Sequence, residues 1–336
     1  MKQKADKLSY LIFGIIFLTG PAVCAQISTT TNFNKKNTPV SPRCFTSVTS
    51  DSKGLIWVGT LEGLFCYNGL EWSEKNKKNS YLPTNKVLCV EIIENKKYIG
   101  TTNGLIVVHD GSWRLYNTKN SRLPSNKIRK IKQDKNKNIW IATSKGLVSF
   151  NKDLETVLSK KTSGIIDDNF VSLCIDKENT IWAGTNNGLY SYKNKIWRVY
   201  NKNNSPIPDD HVWEIVVDNE NNKWIGTKKG IAKLQYNEWK VFNKKNTPIK
   251  TNIITSMVYD NYDRLWIGTQ KGVCSYDGEE WTKHKIEKKK NRVQKLFIDN
   301  YDNKWICTQS NIIVYNLEGI EFKKNKIEEN KFIVSR

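Results

Sequence analysis

The sequence predicts an all-β fold, a single seven-bladed β-propeller of four-stranded blades. Two observations carry this. A short string of an aromatic residue, a small residue and Thr recurs seven times, and each recurrence sits in a unit of about 42 residues. Each unit has room for four strands of four to six residues, with turn signals between them.

The strings are WVGT at 57–60, YIGT at 98–101, WIAT at 140–143, WAGT at 182–185, WIGT at 224–227 and 266–269, and WICT at 305–308. Their spacings are 41, 42, 42, 42, 42 and 39 residues. Seven such units fill roughly 294 of the 311 residues after position 25, so no second domain fits. The sixth unit shows the elements in order. Ile254–Tyr259 is a first strand ending at Asp260, and DNYDR makes a turn. Leu265–Thr269 is the second strand, Val273–Tyr276 the third, and a fourth lies around Trp281.

The repeated residues have physical work. The Trp offers a large apolar surface to bury between blades. Two positions on stand Gly59, Gly100, Ala142, Gly184, Gly226, Gly268 and Cys307, all small, as close blade contact requires. Six positions on stand Gly63, Gly104, Gly146, Gly188, Gly230, Gly272 and then Asn311, which reads as a hairpin residue at positive φ with Asn as the tolerant substitute. An Asp before the second strand (Asp51, Asp134, Asp176, Asp218, Asp260, Asp299) can cap its own turn.

Leu-Pro, an apolar strand, Asp, Trp-Ile-Gly-Thr and Gly-Leu together resemble the two-component regulator propeller repeat. Residues 121–147, SRLPSNKIRKIKQDKNKNIWIATSKGL, show the pattern almost whole. The resemblance covers about nine tenths of the chain. It implies a periplasmic sensor-type propeller; the kinase and regulator domains often fused to such propellers are absent from this sequence.

Either terminus could close the ring. FNKKNTP at 33–39 recurs at 242–248, on a fourth strand and the loop after it, so the N-terminal segment reads as an outer strand for the last blade. Ile320–Phe322 could fill the same slot. Lys331–Val334 resembles another inner strand, which keeps eight blades with one incomplete as an alternative to seven.

Residues 1–25 read as a signal peptide and 26–336 as the propeller. Lys2, Lys4 and Lys7 precede the apolar stretch Leu8–Leu18, and Val23-Cys24-Ala25 offers a cleavage site. A periplasmic or secreted location is expected, with no transmembrane segment after cleavage; lipidation at Cys24 is disfavoured by Val23 before it. Six Cys remain, irregularly spaced: as small buried residues, or as one or two bridges whose pairing cannot be assigned.

The composition excludes several classes. With 12 Trp, 14 Tyr and 11 Phe the chain is not disordered, and 19 Gly with 8 Pro exclude collagen-like architecture. Only His109, His211 and His284 exist, at different blade positions. No metal site, cofactor or catalytic residue is therefore expected. DNENN and DNYDN lack the spacing and terminal Glu of a calcium loop.

The candidate site is the channel mouth. Fourteen residues before the Trp lie Arg43, Asn126, Asp168, Asp210, Asn252 and Asn291, joined by Asn85 with a one-residue gap. They read either as turn caps or as a ring of hydrogen-bonding side chains. Blades four and five carry Asp167-Asp168 and Asp209-Asp210-His211, solvated loop charges or a cation site. Trp213 is the sole Trp on an inner strand, for packing or for stacking a sugar ring. Arg129, Lys130, Glu214 and Lys295 also fall on inner strands, where charge is costly unless it faces the channel.

The formal charge is +21, and about +19 after cleavage. A polyanion or carbohydrate ligand suits it, and so does an envelope protein partner. With 46 Lys against 8 Arg spread over every blade, dedicated phosphate reading is disfavoured. Nucleic acid is disfavoured by the expected export and is not counted among the partners, and a monomer is expected. The reading is an exported, non-catalytic, sensor-like binding module; a cell-envelope interaction scaffold is the alternative. A propeller lyase or hydrolase would need more than His211 and the Asp pairs.

Overall fold

A computed structural model describes residues 30–41, 44–151, 153–163, 165–285, 292–320 and 322. The expected signal peptide, Arg43, Asn291 and the 331–334 segment lie outside the described residues. Within them, 28 strands form seven antiparallel four-stranded sheets, with one helical turn at Lys160–Ser163. The inner strands are Phe45–Ser50, Val87–Ile93, Ile128–Gln133, Ser172–Ile175, Val212–Val217, Ile254–Tyr259 and Val293–Ile298. Those of the first and last blades lie side by side, so the ring closes with seven blades.

Closure comes from the N-terminus. Thr30–Phe33 is the outer strand of the seventh blade, pairing antiparallel with Ile312–Tyr315 from Thr30 opposite Tyr315 to Phe33 opposite Ile312. Ile320 and Phe322 take no strand slot. Phe322 instead packs over Tyr67 and Trp305, at 5.3 and 5.7 Å between ring centroids.

The core is divided into wedges between neighbouring blades, each combining side chains of two adjacent sheets. The small position after each Trp explains the fit. A Cβ on Gly184 would meet Ser172 Oγ at 2.2 Å and Val212 O at 2.6 Å; one on Gly268 would meet Val293 at 2.7 Å. Gly184→Ala is therefore expected to cost about 1–3 kcal/mol of overpacking. Urea unfolding at an unchanged midpoint would contradict so tight a contact. The hairpin glycines lie at positive φ, from 116° to 157°. Asn311 differs from expectation: it keeps the hairpin bonds to Thr308 without joining the residues at positive φ.

The turn Asp does more than cap its turn. In six blades its second oxygen accepts the indole N–H of the Trp six residues later, at 2.8–3.0 Å. Each of these six indoles thus has its donor satisfied. Neighbouring turns are also stapled: Lys135 N donates to Asn179, Lys177 N to Asn221 and Asn261 N to Asp302, at 2.8–2.9 Å. These three acceptors sit at φ of 60–66°, the left-handed conformation that Asn and Asp tolerate.

The six described cysteines are free thiols. His284 stacks on Trp266 at 4.2 Å and shares a 2.8 Å hydrogen bond with Ser275. Burial, with Arg264 and Lys304 nearby, pushes its pKa down to about 4 from 6.5. As pH falls through 6.5 the unfolded chain takes up this proton first, so stability drops toward pH 4. His284→Phe should lose less Tm than the parent between pH 7.5 and 5; an equal loss would contradict this.

Candidate functional site: the central channel and its mouth

Six inner strands carry a bulge at one position, between their first and third residues. The bulged residues are Thr46, Leu88, Arg129, Trp213, Thr255 and Gln294. A bulge re-aims a side chain that regular pairing would direct elsewhere. Here it sets a variable ring beside the loops that lead into the inner strands. Arg129 Nη2 donates to Asn169 Oδ1 in such a loop at 3.0 Å, and the Trp213 ring meets His211 of another at 6.5 Å. Two buried polar atoms of this ring, Arg129 Nε and Thr255 Oγ1, have no hydrogen-bond partner among the described residues. An unmet buried donor or acceptor costs about 1–3 kcal/mol.

One residue further along, a charged belt spans the channel. Glu214 of blade five is held between Lys130 of blade three (3.2 Å) and Lys295 of blade seven (2.9 Å). Lys132 pairs with Glu91 at 2.7 Å. Burial would raise the Glu214 carboxyl, but the two ammonium groups outweigh it and hold it at about 2. Three Lys face two Glu, and with Arg129 the channel carries surplus positive charge. The belt lines a cavity of about 380 Å³ together with Ser47, Cys89, Cys174 and Ser256. Burial pushes the Cys89 thiol up to about 12 and Cys174 up to about 11, so neither supplies a thiolate at neutral pH. The expectation that Lys130, Glu214 and Lys295 face the channel matches this arrangement.

The predicted rim residues are placed differently. Asn126, Asp168, Asp210 and Asn252 each accept a hydrogen bond from the backbone N–H eight residues earlier, at Thr118, Lys160, Lys202 and Lys244, at 2.8–3.3 Å. Asn85 does the same for Lys77. They lock the loops that surround the mouth. The first Asp of each pair turns inward: Asp167 accepts from Asn187, and Asp209 accepts from His211 Nδ1 at 2.8 Å and lies 3.5 Å from Lys229. Burial raises the Asp209 carboxyl, but the two His211 hydrogen bonds outweigh it and bring it below the usual range. No cluster of three or more metal-ligating side chains occurs among the described residues. Arg129 and Trp213 thus share the bulge position of their strands, with Asn169 beside the first and His211 beside the second, while Asn126, Asp168, Asp210 and Asn252 are on loop duty. Thr255 escaped sequence reasoning; its alignment with Arg129 and Trp213 in the repeat was the available signal.

The profile of the two component regulator propeller matches residues 122–145, 164–187 and 248–271, in blades three, four and six. Three of its seven blades match that repeat. Its fold matches the extracellular domain of BT3049 from B. thetaiotaomicron, described as a hybrid two component system, with a TM-score of 0.74 and 19% identity. That match covers 86% of this chain and 41% of the other, so the chain spans about two fifths of the longer domain. Catalytically inactive virginiamycin B lyase from Staphylococcus aureus, with quinupristin, gives 0.70 at 14% identity, covering 86% and 99%. YCF48 bound to D1 peptide gives 0.65 at 14%, covering 86% and 97%. No curated protein matches the chain. Among the described residues, no helix of this propeller is long and apolar enough to cross a membrane.

Proposed function

We propose that this propeller is an exported, non-catalytic binding module that recognises an acidic carbohydrate at its channel mouth. The observation that carries the reading is the unmet Arg129 Nε above a belt with surplus positive charge. A carboxylate or sulfate would satisfy that donor, and the half-buried Trp213 offers a ring face for the sugar. Matches to extracellular domains favour the location. A glycan array read at two salt concentrations tests it, with uronate, sulfated and neutral glycans side by side. Trp213→Ala and Arg129→Gln should each lower affinity about tenfold. Binding that ignores sugar identity and vanishes with salt would reduce the effect to generic attraction.

A lyase is the second reading, favoured by one contact. With the proton on Nδ1 toward Asp209, His211 Nε2 is left as an acceptor beside Trp213. Turnover of a bound glycan that His211→Ala abolishes, with affinity kept, would select it.

A further inference from the structure

The interface between blades two and three departs from the repeat. Tyr98 stands where the other blades have Trp, and the position six before it is Ile92 rather than Asp. The turn is cut to Glu94-Asn95, with Glu94 at φ 54°. The staple seen between other turns is replaced by an exposed Lys137–Glu94 pair at 3.6 Å. A smaller ring and a shorter turn leave a cleft of about 600 Å³, open to solvent and separate from the channel.

We propose that this cleft is a second ligand site, for a small aromatic carboxylate. Its floor is apolar and aromatic: Tyr98, Tyr116 and Phe150, the last two edge-to-face at 5.4 Å, with Val107 and Ile139 beside them. Such a floor takes a flat ring and penalises a sugar, whose hydroxyls would lose water without gaining partners. The rim supplies the charge. Arg114 lies over the Tyr116 ring at 5.1 Å, which fixes its guanidinium plane and leaves its edge for a carboxylate. Lys96 stands on the same rim. Of the two acids there, Glu94 pairs with Lys137, and Asp110 lies 3.4 Å from the His109 ring. Arg114 and Lys96 have no acidic partner within salt-bridge distance among the described residues, so the cleft carries complementary charge for one anionic group. The volume lies within the usual range of small-molecule pockets.

Calorimetric titration of the whole chain with 4-hydroxybenzoate, and with neutral 4-hydroxybenzamide, tests the site. The acid should bind at least tenfold more tightly than the amide. Arg114→Gln, at an exposed position, should lower the acid's affinity about tenfold. Tyr98→Trp should fill the cleft and remove binding, whereas Trp213→Ala at the channel should leave it unchanged. Equal binding of acid and amide, absence of binding at millimolar acid, or loss with Trp213→Ala but not Arg114→Gln would each overturn the proposal.

Discussion

Glu214→Ala is expected to destabilise the propeller by about 3–5 kcal/mol, read as a lower urea midpoint. The carboxylate is the common partner of two lysines from blades three and seven, in a channel lined by strands on every side. Removing it leaves two ammonium groups facing each other across the channel without their shared counter-charge. Replacing Lys130, Glu214 and Lys295 together by Met should be far milder, because no buried charge is then left unmatched. If the single variant is no worse than the triple, the belt is solvated and the argument fails. The same group sets an acid limit. Its folded pKa of about 2 lies below the ordinary 4.5, so its contribution is complete above pH 4.5 and fades as pH falls toward 2.

Asp176→Ala should cost a similar amount, about 3–5 kcal/mol. This buried carboxylate accepts from Glu178 N, Thr180 N and the Trp182 indole at 2.8–2.9 Å, and pairs with Lys223 at 3.0 Å. Burial raises its pKa, but these donors outweigh it and hold it below 3.8. Truncation leaves a buried indole, two amides and an ammonium without their acceptor. Asp176→Asn keeps the size but has one amide oxygen, and should fall between. A Tm shift within a degree of the parent for Asp176→Ala would show that water takes over these bonds.

The blade plan was legible because it is written in residue type and spacing. Trp266, Gly268 and Gly272 repeat at fixed intervals, and each position admits few alternatives. The Asp–Trp hydrogen bond was present as a six-residue spacing, yet a turn cap already accounted for Asp176. The mouth was harder. Arg129 and Trp213 owe their placement to bulges, and a bulge is an event of register that residue type does not announce. Asp168 and Asp210 align as well as any ligand ring would, but the alignment reflects a loop lock repeated in each blade. Closure was ambiguous because the recurrence of FNKKNTP marks the N-terminal segment as an outer strand while Ile320–Phe322 offers its own apolar alternation, and only backbone pairing separates a strand from a packed segment.

The closing strand sets an order of events during synthesis. Thr30 leaves the ribosome 285 residues ahead of its partner Tyr315. Until then the last blade does not exist, and the first strand waits as an unpaired edge. The ring is therefore completed by two segments far apart in sequence, a contact of long separation and slow formation. A chain held unfolded until all of it has arrived on one side of a membrane would never have to guard that edge while half made.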